Sequence, residues 1–151
     1  MLIDISWPLT AETVSYKNRH PIQLQTLRTV AEHGVCDSLC TSFHLHTGTH
    51  IDAPSHILAG GDSIDLLSLE KMNGPCRVID LSSISGEKIE AEHLLPYKIL
   101  PGERVLIKTQ NSARSWKGEY FFNEVFLAAS AAEYLASLSV ALVGIDALGL
   151  E

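Results

Sequence analysis

Residues 39–56 of the chain read Leu-Cys-Thr-Ser-Phe-His-Leu-His-Thr-Gly-Thr-His-Ile-Asp-Ala-Pro-Ser-His. The two-residue period of a strand separates this stretch into two populations of side chains. The odd positions are mostly apolar, namely Leu39, Thr41, Phe43, Leu45, Ile51 and Ala53. The even positions include His44, His46, His50, Asp52 and His56. The pattern predicts an extended chain, bent near Gly48 and Pro54, with one face on the core and the other presenting imidazoles and a carboxylate.

These side chains indicate a metal site. Imidazole nitrogens and carboxylate oxygens are ligands for borderline cations such as zinc and manganese. A single histidine here is best explained as a polar group on a strand surface. However, four of the seven histidines lie within thirteen residues. This cluster indicates a cation site, because it is costly to assemble without a cation. Gly48 also allows close approach of the backbone.

The rest of the chain has the pattern of an α/β protein. Runs rich in Val, Ile and Leu predict strands at Leu2–Ile5, Ile22–Val30, Arg77–Leu81, Arg104–Thr109 and Val140–Ile145. The apolar stripe at helical spacing predicts a helix over Asn123–Leu138, with Asn123 as its N-cap. Shorter helices are expected at Ile64–Lys71 and Glu90–Leu95. Strands interleaved with helices predict the α/β class without defining the strand order.

Length and composition limit the classes of function. The 151 residues, of which 46% are apolar and 19% charged, predict a single folded domain over residues 1–151. The net charge of −7 disfavours a nucleic-acid partner. The N-terminus lacks a signal-peptide pattern, and the apolar uncharged stretch Tyr134–Ile145 is too short to span a membrane. Three cysteines, an odd number, argue against a disulfide framework, so we expect a cytoplasmic protein without a membrane partner.

The segment His46–His56 resembles a family signature. It reads His-Thr-Gly-Thr-His-Ile-Asp-Ala-Pro-Ser-His and is similar to the pattern His-x-Gly-Thr-His-x-Asp-x-Pro-x-His of the metal-dependent cyclase family. That family includes kynurenine formamidases and isatin hydrolases. Asp4-Ile5-Ser6, Gly60-Gly61 and Val143–Asp146 extend the resemblance over essentially the whole chain. The resemblance implies a mixed sheet or barrel with flanking helices, of the swivelling β/β/α type, and a homodimer or homotetramer.

The resemblance also implies roles for individual residues. His46, His50 and Asp52 become ligands of one or two divalent ions, with Zn²⁺ first and Mn²⁺ second, and Asp52 is able to bridge two ions. His56 becomes the catalytic proton donor and acceptor. Tyr16 falls where the formamidases place an aromatic residue against the substrate ring, although a packing role would explain it nearly as well. His44 matches no family role and is explained as a strand-surface histidine.

The resemblance further implies hydrolysis of a small amide or cyclic amide. A bound cation lowers the pKa of its water toward about 7 and so generates hydroxide near neutral pH. The hydroxide would attack an aryl formamide of the N-formylkynurenine type, while His56 delivers a proton to the leaving nitrogen. The products would be an amine and formate.

Two differences from the family pattern leave alternatives open. Tyr16-Lys17-Asn18-Arg19 stands where formamidases have a Trp-Pro-Gly-Asp-like run, so a substrate other than the kynurenine type is an alternative. Family members also continue into a segment that supplies another His and a Glu, whereas this sequence stops at Glu151. We therefore expect a truncated or divergent member, or a site completed by another subunit. The alternatives are a non-catalytic metal-binding or assembly module and a structural zinc site formed by Cys36, Cys40, His44 and His46.

Overall fold

The computed structural model describes residues 3–149. The strands are β1 (Gln23–Arg28), β2 (Asp37–Ser42), β3 (Arg77–Asp80), β4 (Lys88–Ile89), β5 (Arg104–Lys108), β6 (Phe126–Leu127) and β7 (Leu142–Ile145). The α-helices are α1 (Val30–His33), α2 (Leu69–Met72), α3 (Ala91–Leu94) and α4 (Ala129–Ser137). Short 3-10 turns lie at Tyr16–Asn18, Pro54–His56, Ile64–Leu66, Leu95–Tyr97 and Gln110–Ala113. The α/β class is therefore confirmed.

Described residues group into two compact units. The first comprises the residues up to His50 together with Ser115–Phe122. Its strands β1 and β2 form an antiparallel hairpin with the short helix α1 in the connection. Segment 115–122 is held by the bridge between Thr13 and Lys117 and by the hydrogen bond from the Val14 N–H to the Trp116 carbonyl, at 3.0 Å.

The second unit, which comprises Ile51–Arg114 and the residues from Asn123 onward, contains the main hydrophobic core. Strands β3, β5 and β7 form a parallel sheet in that order, and β4 pairs in parallel with β6. Val105 and Ile107 of the central strand β5 are buried, because the alternation of a strand directs both to the same face. Helix α4 contributes Ala131 and Leu135 to the same core.

Asp146 ties the end of β7 to the loop after β5. Its carboxylate accepts hydrogen bonds from the backbone N–H and hydroxyl of Thr109, both at 2.8 Å. It also accepts from the backbone N–H and hydroxyl of Ser112, at 2.9 and 2.5 Å. Charge-assisted bonds of this kind are stronger than neutral ones, so the carboxyl ends of the two neighbouring parallel strands are held together.

The strand predictions succeeded in the second unit. The predicted runs at residues 77–81, 104–109 and 140–145 contain β3, β5 and β7, and the run at 22–30 contains β1. By contrast, Ile3–Ile5 form no strand, and Leu2 lies outside the described residues. The three sheets of residues 3–149 remain separate and open, so the expected barrel is not confirmed.

The helix predicted over Asn123–Leu138 was wrong in its first half. Helix α4 begins at Ala129, with Ala128 rather than Asn123 as its N-cap, and β6 precedes it. Asn111 explains the difference, because its side chain accepts from the Val125 N–H and donates to the Val125 carbonyl, at 3.0 and 2.9 Å. Backbone groups engaged in this way are not available for a helical turn.

The helix predicted over Ile64–Lys71 is likewise divided. A 3-10 turn, Ile64–Leu66, is followed by the separate helix α2. Ser68 is the N-cap of α2, since its hydroxyl accepts a hydrogen bond from the Glu70 N–H at 3.2 Å. The helix expected at Glu90–Leu95 is present as α3 with the 3-10 turn that follows it. No helix among residues 3–149 has the length and apolar character needed to cross a membrane.

Candidate metal centre

The extended conformation predicted for residues 39–56 is present only at its beginning. Strand β2 ends at Ser42, and the chain then continues through bends to the 3-10 turn Pro54–His56. The apolar odd positions do not pack on a core, since Phe43 is 43%, Leu45 77% and Ile51 44% exposed. The strict two-face interpretation was therefore wrong. The histidines come together through a compact turn instead of a flat strand.

This turn brings three predicted ligands into one group. His46, His50 and Asp52 each offer one ligand atom, and the three atoms lie within 4.8 Å of one another. Both histidines are half-buried and the aspartate is exposed. Two imidazole nitrogens and a carboxylate oxygen form the donor set that zinc uses in open, catalytic sites. The residues therefore fit a divalent cation, both in the type of their donor atoms and in their proximity.

Gly48 allows the turn to close. Its φ of +62° is in the left-handed region that residues with a Cβ rarely adopt. A Cβ added there would lie 2.8 Å from Leu9 Cδ2. Thr47, beside it, is buried and forms an antiparallel bridge with Ser15. The positive φ thus favours glycine at this position, whereas the exposed Leu9 side chain could move away from an added Cβ.

The ring of His50 is oriented from behind. Its Nδ1 lies 2.9 Å from the Gly48 carbonyl oxygen, which can only accept, so Nδ1 carries the hydrogen. The other nitrogen, Nε2, then presents its lone pair 3.0 Å from His46 Nδ1. Metal-binding histidines commonly donate their second N–H to a carbonyl in this manner, which defines the tautomer and the ring orientation.

The backbone of His46 is held on both sides. Its N–H donates to Nδ1 of His44 at 3.1 Å. Its carbonyl accepts from the Tyr16 N–H at 3.0 Å. His44, which sequence reasoning left without a role, therefore positions a predicted ligand. Its place two residues before His46 was the available signal, but the strand interpretation directed both rings to solvent.

The other predicted site residues are placed as follows. His56 ends the 3-10 turn Pro54–His56 and is exposed. Gly61 packs against this turn, since a Cβ at Gly61 would lie 2.7 Å from the Pro54 carbonyl carbon. Tyr16 is half-buried, with its ring centre 6.0 Å from that of His46. The catalytic role of His56 and the substrate contact of Tyr16 stay predictions.

The cysteines do not take part in this group. Cys36 and Cys40 are free and exposed. Among residues 3–149, neither is a member of a cluster of three or more candidate ligands. The geometry thus favours the His-His-Asp set over the structural zinc site.

Comparison with known proteins supports the same interpretation. The kynurenine formamidase of Bacillus cytotoxicus is 32% identical over 146 residues, which are 95% of this chain and 67% of that protein. The kynurenine formamidase of Bacillus anthracis is 30% identical over 144 residues, with the same shares of each chain. The sequence-based prediction of a metal-dependent hydrolase acting on amide C–N bonds is in agreement with these relatives.

Solved structures give a matching result. A potential metal-dependent hydrolase with cyclase activity is 34% identical, with a TM-score of 0.82 over 99% of this chain and 69% of that one. A predicted metal-dependent hydrolase from Bacillus stearothermophilus is 33% identical, with a TM-score of 0.81 over 99% and 70%. An isatin hydrolase shares the fold at 20% identity, with a TM-score of 0.81 over 99% of this chain and 68% of that one. A family model described as a putative cyclase matches residues 3–151, and the chain belongs to the cyclase family.

Proposed function

We propose that this chain is a metal-dependent amide hydrolase whose first candidate substrate is an aryl formamide. The observation that carries the proposal is the convergence of His46, His50 and Asp52, with ligand atoms within 4.8 Å of one another. The hydrogen bond from His50 to Gly48 adds to it, because it directs one imidazole nitrogen at the group. The kynurenine formamidase relatives supply the substrate class.

His46, His50 and Asp52 would hold the divalent cation, with zinc as the first choice and manganese as the second. When bound, such an ion supplies Lewis acidity that makes water a nucleophile near neutral pH and polarises a carbonyl. Three protein ligands leave coordination positions open, as a catalytic site requires. The residues of the chain then have two tasks, which are to orient the amide and to move protons.

His56 is proposed to move the proton. An imidazole can both accept and donate a proton near neutral pH. Amide hydrolysis needs both operations, since water loses a proton and the leaving nitrogen gains one. Tyr16 is proposed to contact the substrate ring, because its own ring lies 6.0 Å from that of His46.

Metal content per chain tests this proposal directly. Elemental analysis of protein purified without chelators or metal-affinity resin should find about one or more zinc or manganese ions in the wild type. Asp52→Ala should lose them. Asp65→Ala is the matched control, because Asp65 is also an exposed aspartate and lies outside the ligand group. Wild-type protein that binds no metal even after reconstitution would exclude the proposed centre.

Hydrolysis assays separate the enzyme from a metal-binding module that does no chemistry. Metal-loaded protein should release formate from formanilide, and Asp52→Ala should not. Metal bound in stoichiometric amount without turnover of formanilide, cyclic imides or lactones would exclude the hydrolase and favour the assembly module. The homo-oligomer implied by the family is a separate proposal that sedimentation velocity can test.

A further inference from the structure

The first compact unit contains a row of aromatic rings that starts at a proposed metal ligand. The ring centres of His46 and Tyr16 are 6.0 Å apart, those of Tyr16 and Tyr120 are 5.3 Å apart, and those of Tyr120 and Phe122 are 4.9 Å apart. The last two pairs meet edge to face, at interplanar angles of 69° and 85°. We call Tyr16, Tyr120 and Phe122 the aromatic row. Such distances and angles are those of favourable ring pairs.

Tyr120 is placed by specific contacts with the N-terminal segment. Its backbone N–H donates to Asn18 Oδ1 at 2.6 Å. Two residues earlier, the Gly118 N–H donates to the Glu12 carbonyl at 3.3 Å, and Lys117 forms an ion pair with the Glu12 carboxylate at 2.8 Å. These contacts hold residues 117–120 against the N-terminal segment and so keep Tyr120 next to Tyr16.

The segment beside Tyr16 is strained. Lys17, Asn18 and His20 have φ values of +54°, +55° and +48° without being glycine. Asparagine tolerates the left-handed region, whereas lysine and histidine do so at a cost. Strained backbone persists where the surrounding structure requires it, and such residues concentrate at binding and catalytic sites. Here the strained residues belong to the same segment as Asn18, whose side chain accepts the hydrogen bond from Tyr120.

A purely structural role does not explain the row well. The buried apolar residues of the first unit are few, with Val14 and Ile22 being the described examples, so the rings are not the margin of a large core. Phe122 is 68% exposed and Phe121 is 48% exposed. Rings that served only to pack would be expected to bury more of their surface. Tyr16 and Tyr120 are each only half-buried, which leaves aromatic surface for a ligand.

We propose that Tyr120 and Phe122 extend the contact proposed for Tyr16 into a wall that binds the aryl group of the substrate, and that Tyr120 is a specificity-determining residue. This inference rests on the proposed amide hydrolysis and assigns the residues that bind the aryl part of the substrate. The amide carbonyl would lie by His46, and the aryl ring would extend from there along Tyr16 toward Tyr120. An aromatic ligand gains edge-to-face contact with such a wall, whereas an alicyclic ligand of the same size gains only apolar burial.

Binding of two matched amides tests the wall independently of catalysis. Benzamide and cyclohexanecarboxamide have the same amide and similar ring size, and saturation-transfer NMR measures both affinities. Metal-loaded wild type should prefer benzamide. Tyr120→Leu should lower the affinity for benzamide by about threefold to tenfold. It should lower the affinity for cyclohexanecarboxamide by less than about twofold. Tyr120→Phe should keep the preference, since it keeps the ring.

Phe43→Leu is the matched control, because Phe43 is an exposed ring of the same unit outside the aromatic row. It should leave both affinities unchanged. Circular dichroism and thermal melting establish that each variant is folded. The inference is overturned if Tyr120→Leu weakens the two amides equally or not at all, or if the wild type does not prefer benzamide.

Turnover distinguishes failure of this inference from failure of the proposed function. The kcat/KM of formanilide should be compared with that of N-cyclohexylformamide, and Tyr120→Leu should lower this ratio through KM more than through kcat. Selective benzamide binding that depends on Tyr120, without turnover of either formamide, would support the wall and exclude the hydrolase. Turnover of formanilide with a ratio unchanged in Tyr120→Leu would support the hydrolase and exclude the wall.

Discussion

His50 Nδ1 donates a hydrogen bond to the carbonyl oxygen of Gly48 at 2.9 Å, and Gly48 can offer that carbonyl because its φ is +62°. The two residues together orient the imidazole ring of His50. The glycine sets the direction of the backbone carbonyl, and the carbonyl sets the tautomer of the imidazole. The nitrogen left for a metal is then Nε2, which lies 3.0 Å from His46 Nδ1.

Gly48→Ala should therefore weaken metal binding. The positive φ costs an alanine about 1–2 kcal/mol, and the added Cβ would press on Leu9. Because the carbonyl that orients His50 would move, we expect metal affinity to fall by about tenfold to a hundredfold, measured by competition with a chromogenic chelator. Gly34→Ala is the control, since Gly34 has a φ of +72° with nothing within 4 Å of an added Cβ. It should lose stability but keep its metal affinity. An unchanged affinity in Gly48→Ala would contradict the orienting role.

His56→Ala should abolish turnover without removing the metal. Loss of a general acid–base group lowers kcat by about 10²- to 10⁴-fold. The residue lies in a separate 3-10 turn after the ligand group and is not one of its three members. Formanilide hydrolysis and elemental analysis on the same sample check both parts. His33→Ala, which removes an exposed histidine at the end of α1, should change neither. Metal loss equal to that of Asp52→Ala would contradict the assignment of His56 to proton transfer and of Asp52 to metal binding.

Gly61→Ala should impair catalysis through the turn that carries His56. The added Cβ would lie 2.7 Å from the carbonyl carbon of Pro54 and 2.9 Å from the backbone nitrogen of Ser55. Backbone atoms cannot move aside as a side chain can, so the turn must shift. We expect kcat to fall by about tenfold to a hundredfold with metal content unchanged.

Gly60→Ala separates this effect from ordinary loop strain. Gly60 is adjacent and has a φ of +79°, yet an added Cβ would meet nothing within 4 Å. That variant should be less stable than wild type while keeping its kcat when folded. If both variants lost kcat equally, contact with Pro54 would not be the cause.

Asp80 should make the free energy of unfolding sensitive to acid. Its pKa lies well below the ordinary 3.8, first because Lys108 donates a hydrogen bond at 2.8 Å and next because Ser82 donates through its hydroxyl and its N–H. A folded-state pKa below the unfolded one means that the contribution is present above about pH 3.8 and is lost as the pH falls below it. The pKa of Lys108 is raised, chiefly by the same hydrogen bond, so its contribution is lost as the pH rises above 10.5.

Urea unfolding at pH 2.5 to 7 checks this linkage. Asp80→Asn should flatten the dependence of the unfolding free energy on pH in the acid range. Lys108→Gln should flatten it partly, since the Ser82 bonds remain. The double variant should behave as Asp80→Asn does. Identical acid profiles for wild type and Asp80→Asn would show that this pair has no influence on acid stability.

The secondary structure could be predicted from the sequence where local pattern and tertiary environment agree. Strands β3, β5 and β7 were found because each contains a short run of Val, Ile and Leu, which favour strands and fill a parallel sheet. The start of α4 was missed because a distant side chain, Asn111, holds Val125 extended. Nothing in the apolar spacing of residues 123–138 reports that contact.

The sequence alone identified the candidate ligand set, because His46, His50 and Asp52 lie within seven residues and one turn can assemble them. Their residue types specify a borderline cation wherever the turn is placed. Only the tertiary structure decided what surrounds that set. Asn18 and Tyr120 are 102 residues apart, and their hydrogen bond brings the ring of Tyr120 to Tyr16. Contacts of such separation depend on how the whole chain folds back on itself, and no local period encodes them.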